Sequence, residues 1–228
     1  MSYTSEKSLR DMLKAGVHFG HRPTKWNPKM KSFLHGKHSG VHVFDLNKTA
    51  QGLEDACEFL KKCRKEGKVV LFVGTKQQAT RTVQEVAEGC GMPHITHKWV
   101  GGLLTNFSNI KKRIKYLKDL RIQEEAGDFD KYTKKEALTL RKTIAKLENA
   151  LGGVSEMAKK PDALIVVDVV RDNIAVSEAK KLGIPVIAML DSNADPSGIT
   201  YPIPANDDAI NSIQFVIQAL GSALGKAK

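Results

Sequence analysis

"KVVLFVGT", residues 68–75, is apolar at almost every position and then breaks at a glycine. A strand with one wet face alternates apolar and polar residues, so a continuous apolar run describes a strand covered on both sides. Two more such runs occur, "DALIVVDVV" (Asp162–Val170) and "IPVIAML" (Ile184–Leu190). Helical patterns separate them. One enters at Lys76, another spans Asn173 to Leu182, and a closing helix is expected from Asp207 to about Leu224, with Ile210, Ile213, Phe215, Val216, Ile217 and Leu220 as its buried stripe. Apolar strands alternating with helices predict an α/β fold, a parallel sheet with helices on both faces.

Upstream of this core, Asn47 to Glu66 reads as a helix through Leu53, Ala56, Leu60 and Cys63, with Gly67 as its terminator. Before it, "SFLHGKHSGVHVFDL" has the look of a strand hairpin around Gly36 and Gly40, and Ser5 to Lys14 forms a short capped helix. Between these lies "VHFGHRPTKWNPKMK", Val17 to Lys31, which fits neither period yet gathers two His, four Lys or Arg and one Trp. Irregular segments rich in cations and flat rings suit a polyanionic ligand.

The middle of the chain follows a different rule. Phe107, Ile110, Ile114 and Leu117 step by three, four and three, and Leu140, Ile144, Leu147 and Leu151 by four, three and four. Those are coiled-coil intervals. With a break at "AGDFDKY" and a capping box from Thr133 to Glu136, residues 107–151 read as an antiparallel helical hairpin projecting from a discontinuous body, 1–106 and 152–228.

The 228 residues carry a formal charge of +11, distributed unevenly. Residues 1–40 hold eight Lys or Arg against two acids and residues 108–150 twelve against seven, whereas 161–228 hold five against eight. Such asymmetry describes a basic binding face. Three cysteines without a C-x-x-C spacing fit a reducing cytosol. No apolar run approaches a membrane span, and the first residues lack a signal-peptide pattern, so the fold is expected to begin with the sequence.

Candidate chemistry is sparse. Three His-x-x-His pairs, His18/His21, His35/His38 and His94/His97, have a spacing that two metal ligands can use, but no cysteine lies near the first two and no metal is expected. Gly74, Thr75 and Lys76 form a strand-to-helix turn of the kind that presents N–H groups to a phosphate, without the remaining glycine and Lys-Ser/Thr of a Walker loop. Asp168 and Asp191 end predicted strands, where α/β sheets bind ligands and where acids also cap helices. Trp26 and Trp99 read as lids on the body or as rings that stack on a base or ribose. On the first hairpin helix, Lys111, Lys112, Arg113, Lys115, Lys118 and Arg121 exceed what one solvated face requires and point to phosphates or an acidic partner.

Four segments taken together, "AGVHFGHRPTKWNPKM", "WVGGLLTNF", "PDALIVVD" followed by "AVSEAKKLGIPVIAMLDSNADP", and "YPIPANDDAINSI", resemble the universal family of small ribosomal subunit protein two in its bacterial form. The likeness runs over essentially the whole chain. It implies a flavodoxin-like body with an inserted helical hairpin, no catalysis and no cofactor. It implies binding to small-subunit rRNA near the head–body junction, contact with neighbouring ribosomal proteins, help in docking ribosomal protein one, and residence in the cytoplasm of a bacterium or in a plastid. The residues it marks are His21, Arg22, Lys25, Trp26, Asn27 and Lys29 in the loop and Gly101, Gly102, Thr105 and Asn106 in the turn; Lys31, Lys111, Lys112 and Arg113 join the expected RNA-binding set on their charge, not on the resemblance. The rival reading is a cytosolic enzyme that binds a phosphorylated small molecule at Asp168, Asp191 and the Gly74–Lys76 turn. It lacks a nucleophile–base pair and a metal motif.

Overall fold

The computed structural model describes residues 3–225. Helix α1 (Glu6–Lys14) is capped by Ser5, whose side chain accepts from the Ser8 N–H. The segment that follows contains two 3-10 turns, Pro23–Lys25 and Pro28–Phe33, each opened by a proline whose fixed φ and missing N–H suit that position. Strands β1 (Leu34–His38) and β2 (Val41–Phe44) form an antiparallel hairpin turned at Ser39 and Gly40, both with positive φ.

Next come α2 (Leu46–Lys65), β3 (Val70–Val73), α3 (Gln77–Cys90) and β4 (His94–Ile95). Helices α4 (Phe107–Glu125) and α5 (Lys134–Leu151) lead to β5 (Ala163–Val166), α6 (Asn173–Lys181), β6 (Val186–Leu190), β7 (Tyr201–Pro204) and α7 (Ile210–Leu224). The five strands β4-β3-β5-β6-β7 are all parallel. Numbered within the sheet this is the order 2-1-3-4-5 of flavodoxin-like folds.

The continuous apolar runs split by period two onto two cores. Val70, Phe72, Ile165, Ile187, Met189 and Ile203 pack with α2, α3 and α7. Leu71, Val73, Leu164, Val166, Val186, Ala188 and Leu190 pack with α6 and the start of α4. Both faces are therefore dry, as the sequence pattern requires.

One expectation needs correcting, and one strand was not foreseen. The closing helix begins at Ile210, because Asp207 and Asp208 are drawn instead to Lys76. Strand β7 was hidden by its two prolines. Ala205 N donates to the Leu190 carbonyl, so alternate residues 201, 203 and 205 face β6, while Pro202 and Pro204 face the open side where no sheet donor is needed. Helix α2 covers that side: Thr49 Oγ1 donates to the Pro204 carbonyl at 2.6 Å, and Gly52 meets the Pro202 carbonyl so closely that a Cβ would lie 2.3 Å from the oxygen.

Helices α4 and α5 run antiparallel, since Arg121 pairs with Glu148 and Glu124 with Arg141 at 3.1 Å. The capping box forms as read: the Glu136 N–H donates to Thr133 Oγ1, and the Thr133 N–H to Glu136 Oε2. The pair is rooted in the body through Phe107, Ile110, Ile114, Leu151, Val154 and Met157. Farther out Leu117 is buried, and Leu120, Phe129 and Ala137 form a small cluster with Leu140, Ile144 and Leu147 packed against it.

Candidate nucleic-acid interface

The Val17–Lys31 loop is tied to the body at regular intervals. Gly20 N donates to the His42 carbonyl and His42 N to the His21 carbonyl. His21 N donates to Ser192 Oγ at 2.8 Å, and its Nδ1 lies 2.9 Å from Asp191 and its Nε2 3.4 Å from Asp208. The hydrogen bond to Asp191, aided by the charges of Asp208 and Asp207, raises the His21 pKa against the opposing effect of burial. Asn27 N donates to the Ser192 carbonyl at 2.7 Å, while its side-chain oxygen accepts from Lys29 N. Lys29 Nζ reaches Asp195 at 2.8 Å and Ser197 at 2.9 Å. The Trp26 ring is half-buried, 5.1 Å from the buried His42 ring, as a lid would be.

The loop residues thus fall into two sets. His21, Asn27 and Lys29 hold the loop in shape, whereas Arg22, Lys25 and Lys31 are exposed and make no ion pair among the described residues. The same division occurs on α4. Lys118 is paired with Glu156 at 2.9 Å and Arg121 with Glu148, but Lys111, Lys112, Arg113 and Lys115 are exposed and without an acidic partner among the described residues. Lys111 lies 5.5 Å from the Phe107 ring centre, a contact that leaves its charge in solvent.

The turn from Trp99 to Asn106 is built around a side chain that sequence reading passed over. Glu178 of α6 is buried, and Oε1 accepts from Trp99 Nε1 at 3.1 Å and Gly102 N at 2.7 Å. Oε2 accepts from Leu104 N, Thr105 N and Thr105 Oγ1, each at 3.0 Å. Burial would raise the Glu178 pKa, but these donors, Thr105 and Trp99 foremost, hold it below the ordinary value. Gly102 has φ 85°, the left-handed conformation that turns its N–H toward the carboxylate. Gly101, Thr105 and Asn106 have exposed surface beside this bracket. Nothing local foretells the contact, because donor and acceptor are 73 to 79 residues apart.

At the strand ends the structure answers the enzyme reading. In this strand order the ligand crevice opens between β3 and β5, where the connections diverge. Here it is filled from within. Thr75 N and Thr75 Oγ1 donate to the two oxygens of buried Asp172 at 3.2 and 2.8 Å, Arg171 Nε donates to Thr75 Oγ1 at 3.0 Å, and Gly74 N donates to the Ile95 carbonyl. The Gly74 and Thr75 N–H groups are therefore already taken, and a carboxylate stands where a phosphate would. Lys76 is likewise spent on Asp207 and Asp208, both at 2.6 Å, and Asp168 at 3.4 Å. Burial would lower its pKa, yet the hydrogen bonds to Asp207 and Asp208 leave it raised. Burial and the charges of Asp168 and Asp191 push Asp207 up to about 7.

Asp168 caps its own turn by accepting from Val170 N and Arg171 N, both at 2.9 Å. Asp191 anchors loops, accepting from Ser192 and facing His21. Among the described residues, one grouping has divalent-cation donor types within 4.8 Å of one another: His21, Asp191 and Asp208. Lys76 already supplies positive charge to that acidic cluster. No His-x-x-His pair contributes two imidazoles to it. No helix among these residues is long and apolar enough to cross a membrane.

A flavodoxin-like sheet whose Thr75 and Lys76 are engaged by its own carboxylates, joined to basic loop and helix surfaces, has the form of a scaffold protein. The chain belongs to the family described as ribosomal protein S2, whose profile matches residues 12–227. It is 48% identical over 221 residues to the small ribosomal subunit protein uS2 of a Nitratiruptor species, covering 97% of this chain and 83% of that one. Identity to the protein of the same name from Hahella chejuensis is 46% over 219 residues, covering 96% and 87%. For Campylobacter jejuni it is 47%, covering 97% and 84%. The family is structural and non-enzymatic.

Proposed function

We propose that this protein is a structural component of the small ribosomal subunit in the bacterial cytoplasm. In this reading it binds small-subunit rRNA near the head–body junction, alongside other ribosomal proteins, and helps to seat ribosomal protein one. The helical pair, residues 107–151, acts as a unit distinct from the body, 1–106 and 152–228. The relatives' names and the resemblance of the four sequence segments support the assembly.

The observation that carries RNA contact is the sorting of cations. Paired cations such as Lys29, Lys76, Lys118 and Arg121 serve the fold, while Arg22, Lys25, Lys31, Lys111, Lys112, Arg113 and Lys115 remain outward and, among the described residues, in no ion pair, with Lys25 near enough to Asp208 to help hold its pKa down. An irregular, body-locked loop offers a fixed charge pattern to the shape and phosphates of folded RNA. Gly101, Gly102, Thr105 and Asn106 extend that surface in this reading, and His21, Asn27 and Trp26 shape it.

The test is binding to a small-subunit rRNA fragment across a salt series. Released counterions make the log–log slope about −0.7 to −0.9 per phosphate contact. Replacing Arg22, Lys25 and Lys31 together with Gln is expected to flatten the slope while leaving the melting midpoint nearly unchanged. A wild-type affinity independent of salt would refute the proposal.

A further inference from the structure

We infer that Glu178 is a positioning residue, fixing the direction in which α4 leaves the body. The functional weight of that direction rests on the reading that α4 cations meet RNA; the geometry does not.

Besides the exposed Lys118–Glu156 ion pair, two kinds of attachment hold the root of α4. Phe107, Ile110 and Ile114 pack into the apolar core with Leu151, Val154 and Met157, a contact that keeps the helix near the body but specifies its angle weakly, since apolar burial is non-directional. The Glu178 bracket is directional. Its two oxygens divide the turn between them: Oε1 holds Trp99 and Gly102, and Oε2 holds Leu104 and Thr105, the last residue before the α4 N-cap Asn106. Glu178 itself is fixed, because neighbouring Ala175, Val176 and Ala179 are buried in the same core. Asn106 makes no side-chain cap bond, so the preceding turn, not a cap, sets how the helix begins.

Only a carboxylate fits. All five groups aimed at it are donors, and an ionised carboxylate is acceptor-only. A glutamine of the same length must turn its NH2 toward at least two of them, so the turn has to open on one side. An aspartate is too short to span both sets.

The experiment uses the full chain with spin labels at Lys61→Cys on α2 and Lys135→Cys on α5, both exposed positions. The native thiols do not compete, since Cys57, Cys63 and Cys90 are buried and burial raises their pKa values. Pulsed dipolar spectroscopy is expected to give a narrow distance distribution for the parent and one at least twofold broader for Glu178→Gln, with α2 and α3 amides still protected from exchange. Adding Trp99→Phe removes one donor from the Oε1 side, so the double variant should narrow again. Thr105→Ala, which deletes one of the five donors, should broaden the distribution by less and serves if Glu178→Gln does not fold. A Glu178→Gln distribution as narrow as the parent's, or an unchanged one in Thr105→Ala when Glu178→Gln fails to fold, overturns the proposal. Occupancy on purified small subunits separates the two readings. A broadened variant that still reaches parental occupancy leaves the positioning role standing and removes the RNA role of α4.

Discussion

The sheet and the helical pair are held by different physics. In the body, every strand residue from Val70 to Val73 and from Ala163 to Val166 is buried, and each strand feeds two cores. In the outer half of the pair, Leu120, Phe129 and Ala137 form a small cluster, while exposed Tyr116, Ile122, Tyr132 and Leu138 leave apolar surface in water. Burial accumulates with the number of apolar neighbours, so the body is expected to unfold as a cooperative unit and the tip to open locally. The exposed basic run Lys111, Lys112, Arg113 and Lys115 lies not at that tip but on the outer side of the root of α4, whose Phe107, Ile110 and Ile114 face the body core. A scaffold built this way separates the task of staying folded from that of meeting a partner.

The largest effect that would sharpen this contrast comes from the sheet. Phe72→Ala, at a fully buried site, should lose about 3–5 kcal/mol and lower the denaturation midpoint of the whole chain. Phe129→Ala removes the same side chain from the tip, where 2% is exposed, yet hydrogen exchange should accelerate mainly over residues 117–140 with a much smaller drop in the global midpoint. Equal losses from both variants would break the comparison.

A smaller stability effect, with a large binding effect, is expected for Lys111, Lys112, Arg113 and Lys115 changed together to Gln. These exposed cations have no acidic partner among the described residues, so thermal melting should shift by no more than about 0.5 kcal/mol for each substitution. Subunit occupancy at elevated salt should fall. An unchanged occupancy would confine RNA contact to the loop.

The smallest effect concerns pH. The folded Glu178 carboxyl titrates below its ordinary value of 4.5, so its stabilisation is complete above that value and fades as pH falls through the lower folded one. Melting of the parent should therefore steepen its acid decline below pH 4.5, and Glu178→Gln, which cannot titrate, should show a shallower one. Parallel declines would show that the bracket does not feel protonation.

What was legible in the sequence was local. The unbroken apolar run through Leu71, Phe72 and Val73 announced a covered strand, and Thr133 with Glu136 announced the start of α5, because those signals lie within a few residues of their structural effect. Strand β7 escaped because proline argues against a strand unless the edge geometry is known. Lys76 resembled a phosphate-loop lysine until Asp168, Asp207 and Asp208 were brought to it from across the chain. Asp191 and Ser192 clasp the loop from about 170 residues away, with no sequence spacing to reveal them.

The prolines of β7 also bear on how copies of the chain treat one another. A sheet edge with free N–H and C=O groups is a template on which another strand can be laid, and a protein awaiting its partner is exposed to that hazard. Here the outward positions carry no N–H at all, at Pro202 and Pro204, and α2 sits against their carbonyls through Thr49 and Gly52. The edge is chemically mute toward a neighbouring copy. Replacing both prolines with valine would restore two outward donors, and the fold's resistance to edge-to-edge self-association would then rest on α2 alone.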